Sequence, residues 1–101
     1  MHCIYNVKCW MFEWDRHNLR KIRFHRIKRA EAEEAILNDP ICIYEQSVDG
    51  ELRFVYYGET NSGRLLALVL TERENHVRVV TAYDLDAGQR RDYHERRVAG
   101  E

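Results

Sequence analysis

No stretch of this chain approaches the roughly 20 consecutive apolar residues that a membrane-spanning helix needs. Its unbroken run Leu65–Leu70 is only a strand's length. The opening residues also lack the pattern of a secretory leader: Met1 to Trp10 carries Lys8 and has neither a long apolar centre nor a small-residue cleavage site. These absences predict a cytoplasmic protein with no membrane partner. Cysteine is scarce and odd in number, with Cys3, Cys9 and Cys42 forming no C-x-x-C pair. That argues against a disulfide framework or a zinc site and for reduced thiols. His2, Cys3 and Cys9 match no ligand spacing, so neither a metal nor a cofactor is expected. A net charge of −1 lacks the basic excess common in nucleic-acid binders. At 101 residues the chain has room for one domain with one core.

The charge is nevertheless segregated. Between Arg16 and Arg29 stand Arg16, Arg20, Lys21, Arg23, Arg26, Lys28 and Arg29 with no acidic residue among them. Between Glu31 and Glu51 stand seven carboxylates with no Lys or Arg. A basic block of this kind neutralises phosphates, meets an acidic protein partner, or is simply a solvated face.

Asp15 offers an N-cap, and Leu19 and Ile22 recur at helical spacing, predicting a helix from about Arg16 to Phe24. A second helix over Lys28 to Leu37 buries Ala32, Ala35 and Ile36 and stops at Asp39-Pro40. Alternating patterns on either side of Asp49-Gly50 predict a hairpin. Gly58 to Gly63 reads as a polar loop. The run Leu65–Leu70 predicts a central strand buried on both faces. After a charged turn at Glu72 to Asn75, a last strand runs to about Tyr83, and a helix from Asp86 to Arg97 closes the chain. The expectation is an α+β fold in the order strand, two helices, four-stranded antiparallel meander, C-terminal helix, with the helices on one face.

The residues Trp14-Asp15, Asn18, Lys21-Ile22, His25, Ile27, the Glu31 to Ile36 run and Asp39-Pro40 resemble the amino-terminal half of the BrnT-like toxins. Gly58-Glu59-Thr60, Gly63-Arg64-Leu65-Leu66, Val77 to Ala82 and the close from Arg90-Arg91 to Tyr93 resemble the second half. The resemblance spans about Met11 to Arg97, so Met1 to Trp10 is expected to be an extension that adds no essential structure, ahead of a single domain over 11–101. It implies a RelE-like fold of the RelE/ParE-like superfamily and a ribonuclease toxin of a type II toxin–antitoxin system. It also implies a cognate DNA-binding antitoxin as partner, RNA as substrate, and operator DNA reached only through the antitoxin. Two positions depart from the family pattern: Arg26 stands where glycine is usual, and Tyr83 where many members carry arginine.

Metal-independent RNA cleavage requires a base for the 2′-hydroxyl, an acid for the leaving oxygen and cations around the phosphate. The catalytic candidates are His25, Lys21, Arg78 and Tyr83. Each has a plainer role open to it: His25 as a structural hydrogen-bonding residue, Arg78 paired to a carboxylate rather than a phosphate, Tyr83 as a core aromatic. Lys21 precedes His25 by one helical turn and shares its face if the helix continues that far. Strand parity groups Arg78 with Val80 and Ala82, and sets Tyr83 on the opposite face unless the strand bends. Arg53, Arg64, Arg73, Arg90 and Arg91 are candidates for gripping the RNA backbone, with two at most expected to matter. Arg20, Arg23 and Arg26 are candidates for meeting an acidic antitoxin segment. The alternative is a non-catalytic protein of the same fold that binds protein or nucleic acid.

Overall fold

The computed structural model describes residues 11–100. The residues expected to form an extension, Met1 to Trp10, lie outside these, as do Cys3 and Cys9. Strand β1 (Met11–Glu13) is followed by helices α1 (Arg16–Phe24) and α2 (Arg29–Leu37). Strands β2 (Ile41–Val48), β3 (Glu51–Glu59), β4 (Leu65–Arg73) and β5 (His76–Asp84) come next, then helix α3 (Ala87–Ala99). The α+β class and the element order are those expected, and the architecture is compatible with a RelE-like fold.

Local chemistry explains the boundaries. The Asp15 carboxylate accepts the backbone N–H groups of His17 and Asn18, and the Asn18 side chain accepts the N–H of Asp15 in return. This reciprocal box satisfies donors that a helix start leaves free. The α1 end closes with Arg26 N–H bonded to the Arg23 carbonyl and Ile27 N–H bonded to the Ile22 carbonyl. That is a Schellman motif, which places Arg26 in the left-handed region at φ 57°. Asp49 and Gly50, and again Glu74 and Asn75, have positive φ and form the two tight hairpin turns.

The sheet order is β1-β5-β4-β3-β2. The apolar run does sit in the central strand, β4. Strands β2 to β5 pair antiparallel, whereas β1 joins the outer edge of β5 in parallel, over His76 to Arg78 only. On one face Ile22, Ile27, Ala32, Ala35 and Ile36 pack against Phe54, Tyr56, Leu66, Leu68, Leu70, Val77, Val79 and Ala82. Helix α2 approaches β3 closely at Gly58, where a β-carbon would meet the Ala35 carbonyl oxygen at 2.5 Å.

The expectation of all helices on one face is corrected. Helix α3 lies on the other face, where Tyr93 packs with Tyr57, Ala67 and Leu85. The reason is that β4 is apolar on both faces, and α1 with α2 can cover only one. Two further corrections concern single elements. Strand β3 continues to Glu59, so the polar loop begins later than Gly58. Cys42 is disulfide-bonded rather than a free thiol, since cysteine spacing does not reveal which side chains the fold brings together.

Candidate active site

Strand β5 is bulged. Val69 stands opposite Thr81 and Leu70 opposite Val79, so Val80 is the extra residue. The expected grouping of Arg78 with Val80 and Ala82 is therefore wrong. Ala82 turns into the core with Val77 and Val79, and Arg78 and Tyr83 share the opposite face. A bulge resets the two-residue alternation, and nothing in Val79-Val80-Thr81 announces it.

Sharing a face does not bring Arg78 and Tyr83 together. Arg78 sits opposite Thr71 and Tyr83 opposite Ala67, toward different ends of the strand. The Arg78 guanidinium is engaged as a fork: its terminal nitrogens donate to the two Asp15 oxygens at 2.7 and 3.2 Å, with Glu13 Oε1 at 3.4 Å. Its side chain is only 10% exposed. The Arg78 hydrogen bond is the largest influence holding the Asp15 carboxyl near pKa 2. One arginine thus clamps β1, the start of α1 and β5 together.

Beyond Arg78 the outer side of β5 is left free by β1. There α1 lays Arg20, Lys21, Phe24 and His25 beside Thr81 around one shallow depression. Lys21 and His25 therefore do share a site, although α1 ends at Phe24 and His25 is its C-cap. The His25 ring lies 6.1 Å from the Tyr83 ring, centroid to centroid. Burial is the main cause that pushes the Tyr83 hydroxyl pKa up, so at neutral pH it is a proton donor and not a base.

The loop carrying His25 is fixed by Arg64. Its guanidinium donates to Asp84 at 2.7 and 2.9 Å, to Glu31 at 3.2 Å, and to the carbonyls of Arg26 and His25. Arg64 accordingly has little freedom to grip a phosphate. Arg53 and Arg73 share Glu51 at 3.0 and 2.9 Å, and Arg90 donates to the Leu85 carbonyl. Arg91 is exposed and forms no salt bridge with another described residue. The same holds for Arg16, Arg20, Lys21, Arg23, Arg26 and Lys28, so most of the basic block is unneutralised.

Sequence reasoning missed Phe24, the pairing of Asp84 with Arg64, and the pairing of Asp15, read only as an N-cap, with Arg78. Phe24 falls off the Leu19 and Ile22 stripe, a signal that it faces outward. Nothing in the sequence ties Asp84 to Arg64 or Asp15 to Arg78, because both pairs span distant parts of the chain. Among the described residues no group of three or more His, Cys, Asp or Glu side chains is placed to hold a metal ion. No helix among the described residues is long and apolar enough to cross a membrane.

The segments from Trp14 to Tyr83 thus resolve into a capped α1, an arginine clamp and an open cationic edge. No curated protein matches the chain. A family model described as "Ribonuclease toxin, BrnT, of type II toxin-antitoxin system" matches residues 14–89. That span runs from the Trp14-Asp15 cap through β5 to the first turn of α3, most of the chain, and so the protein belongs to the BrnT family of ribonuclease toxins of type II toxin–antitoxin systems.

Proposed function

We propose that RNA is cut at the open edge of β5, with His25, Lys21 and Tyr83 as the catalytic residues. The observation that carries this reading is that His25 and Lys21 line one depression with Arg20, while the His25 ring also lies 6.1 Å from the Tyr83 ring. An imidazole exchanges protons near neutral pH. His25 takes the proton of the 2′-hydroxyl as its oxygen bonds to phosphorus. The bond from phosphorus to the 5′-oxygen breaks, and that oxygen receives the Tyr83 proton, leaving a cyclic phosphate and a free 5′-hydroxyl. Lys21 faces the negative charge that gathers on the phosphoryl oxygens. Tyr83 regains its proton by way of solvent and His25. These are roles for the chain's own side chains, with no cofactor assigned.

Arg78 acts on this site through position, by holding Asp15 and hence the start of α1. Of the arginines proposed for the RNA backbone, Arg91 has the freest guanidinium, Arg53 and Arg73 flank the sheet face, and Arg64 and Arg90 are tied to the protein itself. We further infer that the enzyme acts in the cytoplasm to slow translation. Its cognate antitoxin lays an acidic segment over Arg20, Arg23 and Arg26, and operator DNA is met only through that antitoxin.

The test compares His25→Ala and Lys21→Ala with the unmodified protein on single-stranded RNA and in a growth-arrest assay. Both side chains are exposed, so the variants should melt as the parent does. Cleavage should fall by about 10² or more on loss of the base. Folded variants that cut at the parental rate would move the site away from this edge. A parent protein that neither cuts RNA nor arrests growth would favour the binding-only alternative, with Tyr83 in arginine's place the first position to change.

A further inference from the structure

Phe24 is 78% exposed, while its neighbour Ile22 is 1% exposed. A phenyl ring left in water on an otherwise polar helix face is held there by more than chance orientation: it meets the His25 ring edge-on, at 5.2 Å and 90°. His25 in turn leans toward Tyr83. Three rings therefore run from solvent to the sheet face. The depression that Phe24 and His25 border with Lys21, Arg20 and Thr81 has a mostly apolar wall. Its rim carries Arg20 and Lys21, neither of them in a salt bridge with a described residue.

We propose that Phe24 is a stacking platform for an unpaired base of single-stranded RNA, next to the phosphate that is cleaved. An apolar wall beneath a cationic rim suits a nucleotide, whose flat base prefers an aromatic face and whose phosphate prefers the cations. An acidic peptide would satisfy the rim and leave the ring unused. A base in a duplex cannot reach the ring, so the site selects single strands. The proposal rests on the assignment of catalysis to this edge, because the stacked base is what brings the adjacent phosphate to His25 and Lys21.

The experiment measures binding of a short single-stranded 2′-O-methyl RNA, which lacks the free 2′-hydroxyl, to the full chain and its Phe24 variants. Phe24→Ala and Phe24→Leu should each weaken binding about tenfold or more, whereas Phe24→Tyr should keep it. Phe24→Leu is the decisive variant, since it retains apolar bulk and loses the π face. Melting temperatures should be unchanged, given the exposure of the ring. Equal affinity in all variants would overturn the proposal, as would a parent protein that does not bind the oligonucleotide. Unchanged RNA affinity with weakened binding of an oligoglutamate peptide would also overturn it and give the patch to a protein partner. The two readings separate cleanly. Loss of cleavage in His25→Ala with normal RNA binding by Phe24→Ala sinks only the stacking platform. Normal cleavage in His25→Ala with lost binding in Phe24→Ala sinks only the catalytic assignment.

Discussion

Asp15 accepts from four donors: two backbone N–H groups of α1 and two nitrogens of Arg78. A single carboxylate therefore serves as helix cap and as anchor for the only buried charged side chain among the described residues. Each of these hydrogen bonds favours the ionised form, which depresses the carboxyl pKa from 3.8 to about 2, Arg78 contributing most. A depressed acid stabilises the fold where it is ionised in both states. Its contribution is complete above about pH 4 and disappears as the pH falls through about 2. We expect the melting temperature of the parent to drop across that window and that of Asp15→Asn, which keeps capping capacity but cannot titrate, to drop less. Parallel acid profiles would show that Asp15 contributes nothing there. Glu31, lowered chiefly by the Lys28 backbone N–H, Asp84, lowered by Arg64, and Glu51, lowered by Arg73 and Arg53, contribute to the fall that remains.

The turn between α1 and α2 shows why a glycine would suit the position of Arg26. The Schellman hydrogen bonds require a left-handed residue at that point, and Ile22 and Ile27, which the motif brings together, are both buried in the core. A side chain with a β-carbon adopts φ 57° at a cost of about 1 kcal/mol. Arg26→Gly should raise stability by up to about 1 kcal/mol, reduced by the extra freedom glycine has when unfolded. Urea denaturation checks this, and a less stable variant would mean that the arginine side chain offsets its backbone strain. The Asp15 N-cap, the helix stop at Asp39-Pro40 and the Asp49-Gly50 hairpin were all legible in the sequence, because each depends on residues a few positions apart. The Val80 bulge was not, since it answers the pairing of β5 with β4 rather than any preference of Val80.

At the scale of the whole molecule the two charge blocks have different fates. Glu31, Glu33, Asp39 and Glu51 are drawn into pairs with Arg64, Arg29, Arg97, Arg53 and Arg73. The cations of α1 form no such pair with another described residue, so a protein of net charge −1 presents a positive edge. Such an edge mainly raises association rate and is screened by salt. Reversing Arg20, Arg23 and Arg26 to Glu should slow association with the antitoxin severalfold or more at low salt, with the difference shrinking as salt is added. Stopped-flow rates that are unchanged at low salt would place the antitoxin on another surface.

The sequence by itself determined the α+β class, the order of the elements, the bounds of α1 and α2 to within a residue, the buried faces of both early helices, the central place of β4 and the family. These follow from periodicity, caps and turns, which act over one or two turns of chain. Only the tertiary structure decided which face α3 covers, that β1 lies parallel to β5, and which residues share the site. Arg78 was picked out as a buried arginine in need of an anion, but whether that anion is a phosphate or Asp15 depends on where β1 delivers the α1 cap. The His25 ring comes near the Tyr83 ring because Arg64 ties the α1–α2 turn to the end of β5. A pairing of that kind joins residues 20 and more positions apart, and no local pattern encodes it.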